Sequence, residues 1–134
     1  MIKFLSAVVA MNNNNINPLI IAWYEYLLRN RVVTADVQGT SKTIKPTQGS
    51  PQGGVLSPLI WNIIIDGLLA NFQQFDPVKI IGYADDVLLY VSGIDEHTLA
   101  QKMNRALNYV QRWGKNNGLV INPCLLYTSD AADD

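Results

Sequence analysis

The chain has 134 residues, enough for one small domain, and with 49% hydrophobic and 16% charged residues it excludes a disordered polypeptide. Its formal net charge is −1, so it lacks the overall basic signature of a nucleic-acid binder. No apolar run reaches the roughly 18 residues of a membrane span, and no membrane partner is expected.

In chain order, "MIKFLSAVVAM" predicts a short helix. Its one lysine and short apolar stretch give a faint likeness to a signal peptide, but nothing cysteine-rich or secreted-looking follows. "NNNNINP" is a loop signal, since Asn runs and the residue before a proline disfavour helix. From Pro18, "PLIIAWYEYLLRN" predicts a helix with Leu19, Trp23, Tyr26 and Leu27 at helical spacing and Pro18 at its first turn. Trp23, Tyr24 and Tyr26 read as core packing rather than a base-stacking platform. Val33, Ala35 and Val37 alternate with Thr34 and Asp36, which reads as a strand. "QGTS" is a turn, and "KTIKPTQ" is an edge strand because Pro46 limits pairing. Arg29, Arg31, Lys42 and Lys45, on or near this hairpin, are candidate phosphate contacts, with a solvated surface as the plainer reading of each.

"SPQGGVLSPLIWNIIIDGLLANF" begins with a loop of few side chains, Pro51, Gln52, Gly53 and Gly54. Ser57 and Pro58 read as a helix N-cap and first-turn proline, and Leu59, Ile60, Ile63, Ile64 and Leu68 as a buried helix. Asn62, on a helix dominated by apolar residues, is ambiguous, with a satisfied buried amide as one reading. "VKIIGYADDVLLYVSG" predicts strand, tight turn, strand. Asp95 caps a long helix, "EHTLAQKMNRALNYVQRWGKNN", which Gly118 stops, and "LVINP" begins another strand. His97, the lone histidine, reads as a surface residue. The final "CLLYTSDAADD", residues 124–134, resembles a translated sequencing-library adapter and is read as an artefactual tail. Without it, acidic residues fall from 11 to 8 against 10 Lys plus Arg, and the net charge becomes +2.

Asp85 and Asp86 stand out. They lie side by side between Ile80–Ile81 and Val87–Val91, although aspartate is a poor strand residue and adjacent carboxylates repel. A divalent cation is the natural compensation, with a polar turn in an ordinary hairpin as the plain alternative. 

"QGSPQGGVLSPLIWNIIIDGLL", "YADDVLLYVSG" and "ALNYVQRWGKNNGLVINP" resemble three consecutive blocks of reverse transcriptases, most nearly those of retrotransposons without long terminal repeats. The order is right, and so is the gap from Gly53 to Tyr83, 83 − 53 = 30 residues. The resemblance implies an α+β fold: a polymerase palm, a split βαβ antiparallel sheet with backing helices, plus part of the fingers, over residues 1–123. It implies extension of a DNA primer on an RNA template with deoxynucleoside triphosphates, by two-metal nucleotidyl transfer using magnesium or manganese. Asp85 becomes a direct metal ligand and Asp86 its supporting partner. The resemblance also implies that Tyr83 and Ala84 lie beneath the primer end. Pro51, Gln52, Gly53 and Gly54 position template and nucleotide, the glycines by allowing close backbone approach and Gln52 by hydrogen bonding.

Two departures qualify this. The family's further metal-binding aspartate sits on an earlier strand, whereas the acids upstream of Gln48 are only Glu25 and Asp36, neither in that setting. The strand is therefore expected before Met1. The lysine that follows "NP" in the family is replaced by the adapter-like tail. The fragment alone is expected to be inactive, incomplete at both ends, and to need the remainder of a parent polyprotein. The resemblance places that parent inside the cell, at the nuclear site of integration. An RNA-copying RNA polymerase, or a decayed or repurposed element that only binds nucleic acid, are the other readings.

Overall fold

A computed structural model of the chain describes residues 3–51 and 53–122. Gln52, Pro123 and the tail predicted over residues 124–134 lie outside these described residues. The elements, in order, are helices α1 (Phe4–Asn13) and α2 (Pro18–Asn30), strands β1 (Val33–Val37) and β2 (Thr40–Ile44), helix α3 (Ser57–Ala70) with a 3₁₀ turn over Asn71–Phe75, strands β3 (Lys79–Tyr83) and β4 (Asp86–Tyr90), and helix α4 (Glu96–Asn117). The fold class is α+β.

Helix ends follow from local chemistry. Asn17 accepts a hydrogen bond from the Leu19 amide at 2.9 Å, capping α2 ahead of Pro18. Asp95 caps α4 by accepting from the Thr98 amide and hydroxyl, as expected. α1 and α4 stop in the same way. After α1, Asn15 turns left-handed at φ 53°, with Asn15 N bonded to Asn12 O and Ile16 N to Met11 O. After α4, Gly118 does so at φ 76°, with Gly118 N bonded to Lys115 O and Leu119 N to Gly114 O. Both are Schellman stops, so the Asn run contributes a specific terminator rather than a featureless loop.

α3 sits in the middle. Ile60 and Ile64 join Ala7 and Met11 of α1 and Ile21, Tyr24 and Leu28 of α2 in one buried cluster. Ile65 and Leu68 join Phe72, Val78 and Ala106 and Val110 of α4 in a second, and Trp113 packs against both. A helix with apolar neighbours on two sides is apolar most of the way round, which is what this stretch shows. Leu59, expected in the core, is exposed. α2 is rotated from its predicted phase. Tyr24 is buried as expected, but Trp23 and Tyr26 are 52% and 70% exposed and Leu19 is exposed too.

β1 and β2 pair antiparallel from Val33↔Ile44 to Val37↔Thr40, joined by Gln38 and Gly39, both at positive φ (50° and 81°), as a type I′ hairpin requires. The second strand runs over 40–44 and ends before Pro46, rather than continuing to 48. Every residue of this hairpin is exposed. β3 and β4 pair from Lys79↔Tyr90 to Tyr83↔Asp86. Among the described residues the two hairpins remain separate two-stranded sheets, so the split βαβ sheet is not assembled. Residues 119–122 form no strand, contrary to the reading of "LVINP". No helix among the described residues is long and apolar enough to cross a membrane.

Candidate functional site

The acidic doublet sits at the tip of the β3–β4 hairpin. Tyr83 and Asp86 are the last cross-strand pair, leaving Ala84 and Asp85 as a two-residue turn. Such turns need a positive φ at their first position, and Ala84 supplies it at 51°. On β4, Val87 and Leu89 pack on the second core cluster, whereas Asp86, Leu88 and Tyr90 face outward. The apolar residues on both sides of the doublet therefore anchor the hairpin, and both carboxylates stand in solvent. Tyr83, 81% exposed, lies beside them.

The turn is held from below by a residue that sequence reading passed over. Trp61, on α3, donates its indole N–H to the Ala84 carbonyl oxygen. The signal was present: Pro58, Trp61, Asn62 and Ile65 follow the i, i+3, i+4, i+7 pattern of one helix face. Those four residues, with Ala84, Asp85, Val87, Val110, Trp113 and residues 119–121, line an open groove of about 560 Å³. Asn62 is exposed in this groove rather than buried.

The Gly-rich loop leads into the same end of α3. The Gly54 amide bonds to Pro51 O and the Ser57 amide to Gly54 O, two tight turns in succession. Ser57 is not the N-cap. Leu56 holds that position without a side-chain cap, and the Ser57 hydroxyl instead donates to Pro51 O at 2.8 Å and meets Ser50 Oγ at 2.7 Å. A Cβ on Gly54 would lie 2.8 Å from Ser57 Oγ and 3.1 Å from Pro51 O, so glycine is required here by packing. Gly53 takes φ 75° with open space around it. The first turns of α3 thus meet both the root of the loop, through Ser57, and the acidic turn, through Trp61. The side chain of Gln52 lies outside the described residues.

Of the candidate phosphate contacts, Arg29 is paired with Glu25 at 2.7 Å and Arg31 is engaged with backbone carbonyls. Lys42 and Lys45 are exposed. No ion pair among the described residues engages Asp85 or Asp86. No group of three metal-ligating side chains exists among the described residues. The doublet can supply two hard oxygen donors to a divalent cation, and further ligands would have to come from elsewhere.

The sequence profile described as "Reverse transcriptase (RNA-dependent DNA polymerase)" matches residues 4–124. The chain belongs to the reverse transcriptase family. Within it, this reverse transcriptase segment is 33% identical over 96 residues to the "Putative 115 kDa protein in type-1 retrotransposable element R1DM" of Drosophila melanogaster, covering 72% of the chain and 9% of the relative. It is 28% identical over 74 residues to the "Retrovirus-related Pol polyprotein from type-1 retrotransposable element R1" of Nasonia vitripennis, covering 55% of the chain and 22% of that protein. It is thus related to the Pol proteins of R1 non-LTR retrotransposons and spans only a small part of their length. No solved structure is a significant match.

Proposed function

We propose that this segment is the palm, with part of the fingers, of an RNA-directed DNA polymerase. In this reading Asp85 and Asp86 hold magnesium or manganese, residues 51–54 meet the RNA template and the incoming deoxynucleoside triphosphate, and Tyr83 and Ala84 lie beneath the DNA primer end. The observation that carries it is the convergence on one end of α3 of an exposed carboxylate doublet and a side-chain-poor loop, both in family blocks. The doublet fits a hard cation: two exposed carboxylates with no cationic partner among the described residues. When bound, the metal supplies activation of the 3′-hydroxyl and stabilisation of charge on the triphosphate.

The chain's own groups do the rest. Ala84 is small and leaves room for the primer end above the turn. Trp61 fixes the turn's carbonyl and so the direction in which Asp85 projects. Gly53 and Gly54 let the backbone approach a base pair closely. The groove beside Val87 and Asp85 is apolar, which suits a further strand, from the rest of the polypeptide, carrying the carboxylate that completes the metal set. Glu25 is engaged with Arg29 on α2, and Asp36 is on the exposed β1–β2 hairpin, so neither fills that role. On this reading the 134-residue chain alone does not extend primers.

Manganese titration followed by NMR tests the metal assignment. Paramagnetic broadening should centre on residues 83–87 and disappear in Asp85→Asn. Broadening centred elsewhere, or unchanged in that variant, would contradict it.

A further inference from the structure

We infer that Arg31 is a positioning residue for the loop over residues 48–54, a role that rests on the reading of this loop as the one that meets the template. Arg31 follows α2 in an extended conformation (φ −70°, ψ 145°), so its side chain leaves the helix and crosses to the segment preceding the loop. Its Nη2 donates to Gln48 O at 2.9 Å and to Gly49 O at 2.6 Å. Its guanidinium lies 5.3 Å from the centre of the Phe4 ring. Its Nε is enclosed without a partner. With Nη2 committed to two backbone carbonyls and the group over an aromatic face, this guanidinium is directed at the loop backbone.

The geometry around these bonds makes them an anchor. Gly49 is left-handed at φ 82°, so the chain changes direction at one of the two residues whose carbonyls Arg31 holds. Gln48 is also bridged to Lys3, whose amide bonds to Asn117 O and whose ammonium bonds to Asn116 O, both at 3.1 Å. The start of the loop is thereby tied to α1, α2 and the end of α4 at once. Ser57 ties its other side through Ser50 and Pro51. These ties hold Gln48, Gly49, Ser50 and Pro51 relative to α1, α2 and α3. Arg29, two residues away, is a built-in contrast: its partner is Glu25 on the same helix.

The test compares Arg31→Gln, Arg31→Lys and Arg29→Gln in the whole chain. Two readouts are used: amide exchange, and binding of a fluorescein-labelled DNA primer annealed to RNA with a template overhang. Bonds from a charged donor are strong enough that losing them should speed exchange of the Gly54 and Ser57 amides about tenfold or more. Exchange of Ile64 and Leu68 within α3 should stay unchanged. Lysine keeps the charge but not the fork, so Arg31→Lys should behave like Arg31→Gln, and it serves alone if the glutamine variant does not fold. Both Arg31 variants should bind the duplex about tenfold more weakly with the same salt dependence, and Arg29→Gln should match wild type. Unchanged loop exchange, or recovery of exchange and affinity by lysine with a shallower salt slope only in glutamine, would overturn the inference and make Arg31 a charge contact. Faster loop exchange with unaltered affinity would uphold the anchor and instead count against the loop's proposed role.

Discussion

Gly54 and Ala84 show how single residues set the site. A Cβ on Gly54 meets both a hydroxyl and a backbone carbonyl, and the carbonyl cannot swing away without opening the turn that Pro51 O closes. Gly54→Ala should therefore cost about 1–3 kcal/mol in chemical denaturation and weaken primer–template binding. Ala84 carries the opposite lesson. Its left-handed backbone costs an L-residue about 1–2 kcal/mol that glycine does not incur. Ala84→Gly should be neutral or up to about 1 kcal/mol stabilising, and Ala84→Val clearly destabilising, by the same measurement. The need for glycine at 54 was legible only as loop composition, because the reason is the position of Ser57 Oγ. Ser57 itself was misread for a related cause. A serine before a proline and an apolar run has the same pattern whether its hydroxyl caps the helix or reaches back to the loop, and only the folded path of residues 50–54 decides.

At the scale of elements, α4 was read to the residue at both ends because each end has its own chemical mark, Asp95 and Gly118. The cap gives a pH prediction. The hydrogen bond from the Thr98 hydroxyl holds Asp95 below the usual aspartate range; burial opposes it, and backbone bonds from Thr98 and His97 add to it. A carboxyl that is more acidic folded than unfolded stabilises the fold above its unfolded pKa, and that contribution is lost as pH falls through the folded value. The start of α4 should accordingly fray in acid, below about pH 4, as seen in the amide shifts of residues 96–99. Asp95→Asn, which keeps a good capping group, should remove that pH dependence while leaving the helix in place at neutral pH. α2 lacked so clear a mark. Leu19, Ile20, Ile21, Trp23, Tyr24, Tyr26, Leu27 and Leu28 make two overlapping helical stripes, and sequence reading mostly followed the exposed one. The β1–β2 hairpin was legible from alternation and Gly39. Its lack of any packed face was not, since alternation normally signals a face that is buried.

For the whole molecule, α3 is the element on which everything else rests. Leu68 is fully buried where α3, the 3₁₀ turn, β3 and α4 meet, and Leu68→Ala should cost about 2–5 kcal/mol in a denaturant titration. That is a large share of the stability of any domain this size. The two-cluster core around α3 was partly visible as a helix apolar on several sides. A palm sheet was not derivable from periodicity, because joining strands across a sheet depends on residues distant in the chain, and the described residues form two separate hairpins. The acidic doublet, by contrast, was conspicuous from sequence alone, and the structure gives it an exposed tip and a turn whose carbonyl is held by Trp61. The most direct trial of its proposed purpose is primer extension on an RNA template, with magnesium, by a complete parental polymerase containing this segment, comparing wild type with Asp85→Asn. Loss of about a thousandfold or more in rate, with primer–template affinity retained, is the predicted result. Extension at an undiminished rate by the asparagine variant would contradict it.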